Sequence, residues 1–150
     1  VNRVRDIINE MENLKLRVHL HNSKKMIKDN TDIYLVNTYG DTKLFFKICK
    51  IIFLGGSIIE HGGQNPLEAA RYGCKILHGP NVSNFHEIYK LLNKYNASTK
   101  INNTNQIINN IDKIFKSKKN FNNKSLKIKI LGNKILNSTL KEVNFFVNKK

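Results

Sequence analysis

IIFLGGSIIEHGGQNPLE, residues 51–68, is the stretch on which the fold turns. An apolar run, Ile51-Ile52-Phe53-Leu54, ends in the glycine pair Gly55-Gly56. A short loop leads to a second pair, Gly62-Gly63, after which Asn65, Pro66 and Glu68 open a helix. Pro66 suits a first helical turn, where its missing N–H costs nothing. Buried strand, glycine turn and helix start in succession are how an α/β domain builds a pocket for a phosphate or nucleotide. Glycine lets a ligand approach the backbone closely, and a helix start offers unpaired N–H groups to an anion. A carboxylate at Glu68 is suited to gripping two neighbouring ribose hydroxyls. Without a ligand, the same residues make a tight turn and a helix-stabilising acid. The glycine spacing fits neither GxxxxGK[ST] nor GxGxxG, so neither an ATPase nor a dehydrogenase is indicated.

Working outward, periodicity predicts a helix over 66–72 stopped by Gly73, a strand over 75–77 and a break at Gly79-Pro80. A helix over 84–95 follows, with Phe85, Ile88, Leu91 and Leu92 on its apolar face, then an edge strand over 98–101 and an amphipathic helix over 106–115. Residues 116–124 read as a basic linker and 125–150 as a last helix. Upstream, a helix over 1–13, a strand over 14–20, a polar loop over 22–32, a strand over 33–36, a turn over 37–41 and a helix over 42–49 lead into the strand at 50–54. The alternation predicts an α/β fold, a Rossmann-like parallel sheet with helices on both faces over residues 1–118, and a C-terminal helical arm over 119–150. Loops 37–41, 55–63 and 79–84 fall at the carboxyl edge of that sheet, where open α/β folds bind ligands. Ser83 and Asn84 also read as helix caps.

The 150 residues carry a net charge of +15. Residues 1–100 hold 15 Lys/Arg against 9 Asp/Glu, and residues 101–150 hold 11 against 2. Such a surface favours an anionic partner, either nucleic acid or an acidic membrane. A Lys- and Asn-rich composition drift accounts for the same excess. Nucleic acid is not expected, because neither an aromatic RNP pattern nor a recognition helix with clustered arginines is present. Cys49 and Cys74 lack CxxC spacing and sit among apolar residues, so buried reduced thiols of a cytosolic chain are expected. His19 and His21 form an HxH pair that no further cluster completes, so no metal is expected. His61 lies in the glycine loop, in reach of a phosphate or of solvent. Ser57 has no GxSxG context. No apolar run approaches the roughly 20 residues that span a bilayer. A chain opening on Val1 directly into a helical pattern is expected to lack an N-terminal part.

Three runs, NTYGD from Asn37, FLGGSIIEHGGQNPLEAARYG from Phe53 and GPNVSNF from Gly79, together resemble the carboxyl-terminal, donor-binding half of 3-deoxy-D-manno-octulosonic acid (Kdo) transferases. Order and spacing match the family pattern DTxGEL, FxGGSxxxxGGHNPLE and GPHxxNF across residues 37–85. The resemblance implies a GT-B glycosyltransferase, with this chain as most of its nucleotide-sugar domain and the amino-terminal acceptor domain missing. It implies transfer of Kdo from CMP-Kdo to a lipid A precursor (lipid IVA) in lipopolysaccharide synthesis, with inversion, without metal or other cofactor, on the cytoplasmic face of the bacterial inner membrane. The catalytic base would lie in the amino-terminal domain, so these residues alone would bind CMP weakly without turnover. Carried across position by position, Arg3 would help bind the donor, Gly56 and Ser57 would border it, and Gly63 and Asn65 would face phosphate. Glu68 would hold the ribose, and Gly79, Pro80 and Asn84 would line the nucleotide side. Asn37 stands in place of the family's Asp, Asp41 of its Glu, and Gln64 and Asn81 each of a His. Other readings are a GT-B transferase using a different nucleotide sugar, or a basic, non-catalytic nucleic-acid- or membrane-binding domain.

Overall fold

The computed structural model describes residues 3–21, 26–116 and 121–148. The chain divides into two compact units, Val1–Thr42 and Lys43–Lys150.

The first unit opens with α1 (Val4–Asn13) and continues with two short parallel strands, β1 (Val18–Leu20) and β2 (Ile33–Leu35), paired Val18 to Ile33 through Leu20 to Leu35. The strand expected over 14–20 begins only at Val18. Residues 14–16 are spent on ending the helix: Lys15 takes a left-handed φ of +60°, and the amides of Lys15 and Leu16 return to the carbonyls of Glu12 and Met11. That is a Schellman-type stop with lysine where glycine is commoner. Arg17 grips Asp32 with two side-chain bonds of 2.7 and 2.9 Å, joining the starts of both strands. These bonds hold the Asp32 carboxyl well below the usual carboxylate range. His19 stacks on Tyr34, and His21 Nδ1 lies 2.6 Å from the Tyr34 hydroxyl.

The second unit carries the stretch 51–68. Helix α2 (Thr42–Ile48) leads into β3 (Ile51–Leu54), then α3 (Leu67–Arg71), β4 (Lys75–His78), a 3-10 turn (Ser83–Phe85), α4 (His86–Lys94), β5 (Ser98–Lys100), α5 (Thr104–Lys116) and α6 (Phe121–Val147). The three strands form a parallel sheet in the order β3-β4-β5, with Leu54 opposite His78 and Ile76 opposite Ser98. A single sheet is expected from the alternation, but hydrogen-bonded pairing falls into two parallel sheets, one in each unit. Parallel strands need crossovers, and α3 and α4 supply them. The core gathers Phe46 from α2, Ala69 and Ala70 from α3, Ile76 from β4, Tyr89 and Leu92 from α4, and Ile128 from α6.

Helix α6 starts at Phe121, so the expected linker loses its last four residues to the helix, and 117–120 lie outside the described residues. It packs on α3, and its Ile128, Leu131 and Ile135 join or pack against the core cluster. Contact is close at Gly132, where a Cβ would lie 2.7 Å from the backbone nitrogen of Arg71. Farther along, Leu140, Val143, Phe145 and Phe146 are exposed. No described helix is long and apolar enough to cross a membrane. Cys74 is buried, with its thiol donating to the carbonyls of Phe46 and Cys49, and burial pushes that thiol up to about 11. Cys49, expected to be buried, is exposed, since it follows α2 at the surface.

Candidate functional site

The loops that follow β3 and β4 are joined by a set of hydrogen bonds at the carboxyl ends of the two strands. Ser57 is the centre of it. Its hydroxyl donates to the carbonyl of Leu54 at 2.6 Å and accepts from the amide of Gly79 at 2.8 Å. Its own carbonyl accepts from the amide of Asn81 at 2.9 Å. Ser57 is fully buried, so its hydroxyl closes the two loops on each other and is not presented to a ligand. Gly79 fits against this residue because it has no side chain: a Cβ there would collide with the Ser57 carbonyl. Asn81 adds a side-chain bond to the carbonyl of Ile58 at 2.9 Å.

The glycine pairs shape the path between them. Gly56, Gly62 and Gly63 have φ of +67°, +82° and +76°, the left-handed region that a side chain disfavours. The Gly63 amide returns to the Gly56 carbonyl at 3.0 Å, closing the loop on itself. Asn84 sits over Gly62, its amide bonded to the Gly62 carbonyl at 3.1 Å, and a Cβ on Gly62 would collide with its side chain. Neither the 3-10 turn nor α4 has a side-chain cap, so Ser83 and Asn84 do not make the capping bonds read for them. Asn84 instead reaches the carbonyl of His61 at 3.4 Å.

Asn65 and Glu68 stand at the start of α3. Asn65 Oδ1 accepts from the amide of Leu67 at 3.0 Å, so this oxygen is spent on the helix and the residue's amide groups are what it can offer an anion. Glu68 lies in the first turn, partly exposed, and no ion pair involves it among the described residues. With only five residues, α3 has a small dipole, and individual N–H groups matter more than the helix as a whole. A polar cavity of about 410 Å³ opens beside the second loop, lined by Glu60, Gly62, Pro80, Asn81, Ser83 and His86 among others. Gly63, Asn65 and Glu68 do not line it. Arg3 belongs to the first unit, at the start of α1, where its guanidinium is 3.8 Å from Glu10. Among the described residues no three His, Cys, Asp or Glu side chains are grouped as they would be around a metal.

Two side chains beneath these loops escape the apolar-stripe reading. Tyr89, on the buried face of α4, donates its hydroxyl to the carbonyl of Gln64 at 2.8 Å. His78, the last residue of β4, packs its ring 4.3 Å from that of Tyr89 and points Nδ1 at the carbonyl of Gly79, 2.7 Å away. A carbonyl only accepts, so Nδ1 carries the proton. Burial pushes this imidazole below its usual value, with the bond to Gly79 acting the other way. Counting three and four residues back from Leu92 reaches Tyr89 and Ile88, and a tyrosine on a buried face signals a partner for its hydroxyl. Leu91, assigned to the apolar face, is instead exposed at 36%.

A parallel β-α-β-α-β unit with two glycine-bearing loops clasped at its carboxyl edge defines a Rossmann-like α/β domain. No protein-family model matches the sequence. The chain is 35% identical over 131 residues to the 3-deoxy-D-manno-octulosonic acid transferase of Rickettsia prowazekii, and 36% identical over 129 residues to that of Rickettsia typhi. Each match takes in 85% of this chain and 26% of the relative, so the chain spans about a quarter of their length. The crystal structure of the C-terminal CMP-Kdo binding domain of WaaA from Acinetobacter baumannii superimposes with a TM-score of 0.76, covering 85% of this chain and 68% of that one; at 23% identity this is a likeness of fold. The chain is a relative of the 3-deoxy-D-manno-octulosonic acid transferases, related to them through a Rossmann-like α/β segment.

Proposed function

We propose that the chain is the donor-binding half of a GT-B Kdo transferase that holds the CMP moiety of CMP-Kdo. One observation carries this: in a relative of Kdo transferases, the stretches 55–68 and 79–84 are clasped together through Ser57 at the carboxyl ends of parallel strands. In the proposed complex Glu68 accepts from the ribose hydroxyls, and the turn at Gly63, whose own N–H is bonded to the Gly56 carbonyl, brings the amide of Asn65 to face the phosphate. Pro80 and Asn84 border the nucleotide, and Gly56, Ser57 and Gly79 shape the loops that hold it. Arg3 assists if the first unit approaches the donor.

The reaction is an inverting transfer without metal or cofactor. An acceptor hydroxyl of the lipid A precursor (lipid IVA) attacks the anomeric carbon of Kdo, the bond to the CMP phosphate oxygen breaks, and CMP leaves with the electron pair. A carboxylate in the amino-terminal half of the enzyme takes the hydroxyl proton. Donors facing the departing phosphate stabilise the charge developing there, which is the part this chain supplies. The acceptor is membrane-bound, and the excess of 11 Lys/Arg over 2 Asp/Glu in residues 101–150 suits an anionic inner-membrane surface on its cytoplasmic side.

Calorimetric titration with CMP and with UDP tests the donor assignment. CMP is expected to bind and UDP to bind more weakly. No heat at millimolar CMP, or a preference for UDP, contradicts it. Glu68→Ala is expected to weaken CMP by about tenfold, the order of a hydrogen bond to a charged group. Flotation with vesicles containing or lacking anionic lipid tests the surface assignment, with binding expected only to the anionic ones.

A further inference from the structure

The loop 62–66 is held from beneath by α4. Its two glycines have left-handed backbone angles and little intrinsic stiffness, so hydrogen bonds set its shape. One of those bonds comes from a side chain: the buried Tyr89 hydroxyl donates to the Gln64 carbonyl at 2.8 Å. Phenylalanine would fill the same apolar site, so the hydroxyl has a use that packing alone does not require. Burial pushes the phenol up to about 12, which keeps it a donor across the working pH range.

The consequence lies on the other side of the same peptide bond. Among the described residues no peptide is cis. In a trans peptide the C=O of one residue and the N–H of the next point in opposite directions. With the Gln64 carbonyl turned inward to Tyr89, the N–H of Asn65 is turned outward, away from the core. We propose that Tyr89 is a positioning residue: by fixing the Gln64–Asn65 peptide plane it aims the Asn65 N–H at an anionic group of the bound ligand, the nucleotide phosphate. The proposal rests on the donor-binding reading. Tyr89 touches no ligand and acts through the peptide it holds.

Tyr89→Phe keeps the ring and its contact with His78 and deletes the one bond. The phosphate makes the prediction specific, because cytidine has the base and ribose of CMP without it. Tyr89→Phe is expected to weaken CMP by about three- to tenfold, the worth of one ordinary hydrogen bond, and to leave cytidine affinity unchanged. A purely structural role would weaken both ligands alike. In the wild-type chain, the Asn65 amide proton is expected to move downfield with CMP and not with cytidine, a measurement that holds even if the variant does not fold. Equal losses for CMP and cytidine, no loss for CMP, or an Asn65 amide indifferent to CMP overturns the proposal. A wild-type chain that binds no CMP refutes the donor reading, and Tyr89's role with it. A wild-type chain that binds CMP beside an equally tight Tyr89→Phe refutes the role of Tyr89 alone.

Discussion

Ser57 illustrates how a residue that resembles a ligand contact serves by holding backbone. A serine between two glycine turns invites a catalytic or binding role, yet its hydroxyl gives its proton to Leu54 and takes one from Gly79. Ser57→Ala leaves a buried Gly79 amide without its acceptor. The expected loss is about 1–3 kcal/mol of stability, read from the urea midpoint. Gly79→Ala strikes the same contact from the other side. Its Cβ would meet backbone atoms of Ser57 and Ile58, which cannot rotate away, so it is expected to destabilise at least as much as Ser57→Ala. An alanine at 79 that is tolerated without loss would contradict the clasp. The glycines were legible as turn formers from sequence. The clasp was not, because it joins positions 22 residues apart, and local spacing says nothing about which loops meet.

Among the elements, α6 sets two effects of opposite sign against each other. Replacing Gly132 with alanine favours the helix by about 1 kcal/mol. It also places a Cβ 2.7 Å from the Arg71 nitrogen and 2.8 Å from the Ala70 carbonyl carbon, and both are backbone. Overpacking against atoms that cannot yield costs about 1–3 kcal/mol, so the net change is expected to be a loss of up to about 2 kcal/mol. A gain in the denaturation midpoint would mean that the helices do not cross this closely. Strand, turn and helix order in the second unit could be read from residues 50–115, because glycine, proline and the change of period from strand to helix are local signals. Boundaries shifted where the chain spent residues on ending a helix, as at Lys15, or carried a helix through polar sequence, as at the start of α6. Tyr89 eluded the stripe reading because its value lies in a hydroxyl bond to a loop 25 residues earlier.

For the molecule as a whole, two titrations give stability a pH dependence, in separate windows. His78 has a folded pKa below its unfolded value of about 6.5, so the unfolded chain binds more protons there. Its contribution is fully present above about pH 6.5 and is lost as pH falls through the depressed folded value. Asp32 is depressed by Arg17, so its contribution is present above about pH 3.9 and fades below that. Thermal midpoints between neutral pH and pH 5 are therefore expected to fall in the wild-type chain, and to fall less in His78→Asn. An unchanged slope would show that His78 is not buried in its neutral form. The charge of +15 acts on another scale, in what the surface attracts, and it does not select the ligand. In the proposed complex that selection rests on the loops. Mapping of backbone amide shifts by nuclear magnetic resonance during titration with CMP tests this most directly. The account predicts saturable shifts concentrated in 56–68 and 79–84. An absence of shifts at millimolar CMP, or shifts confined to other segments, would contradict it.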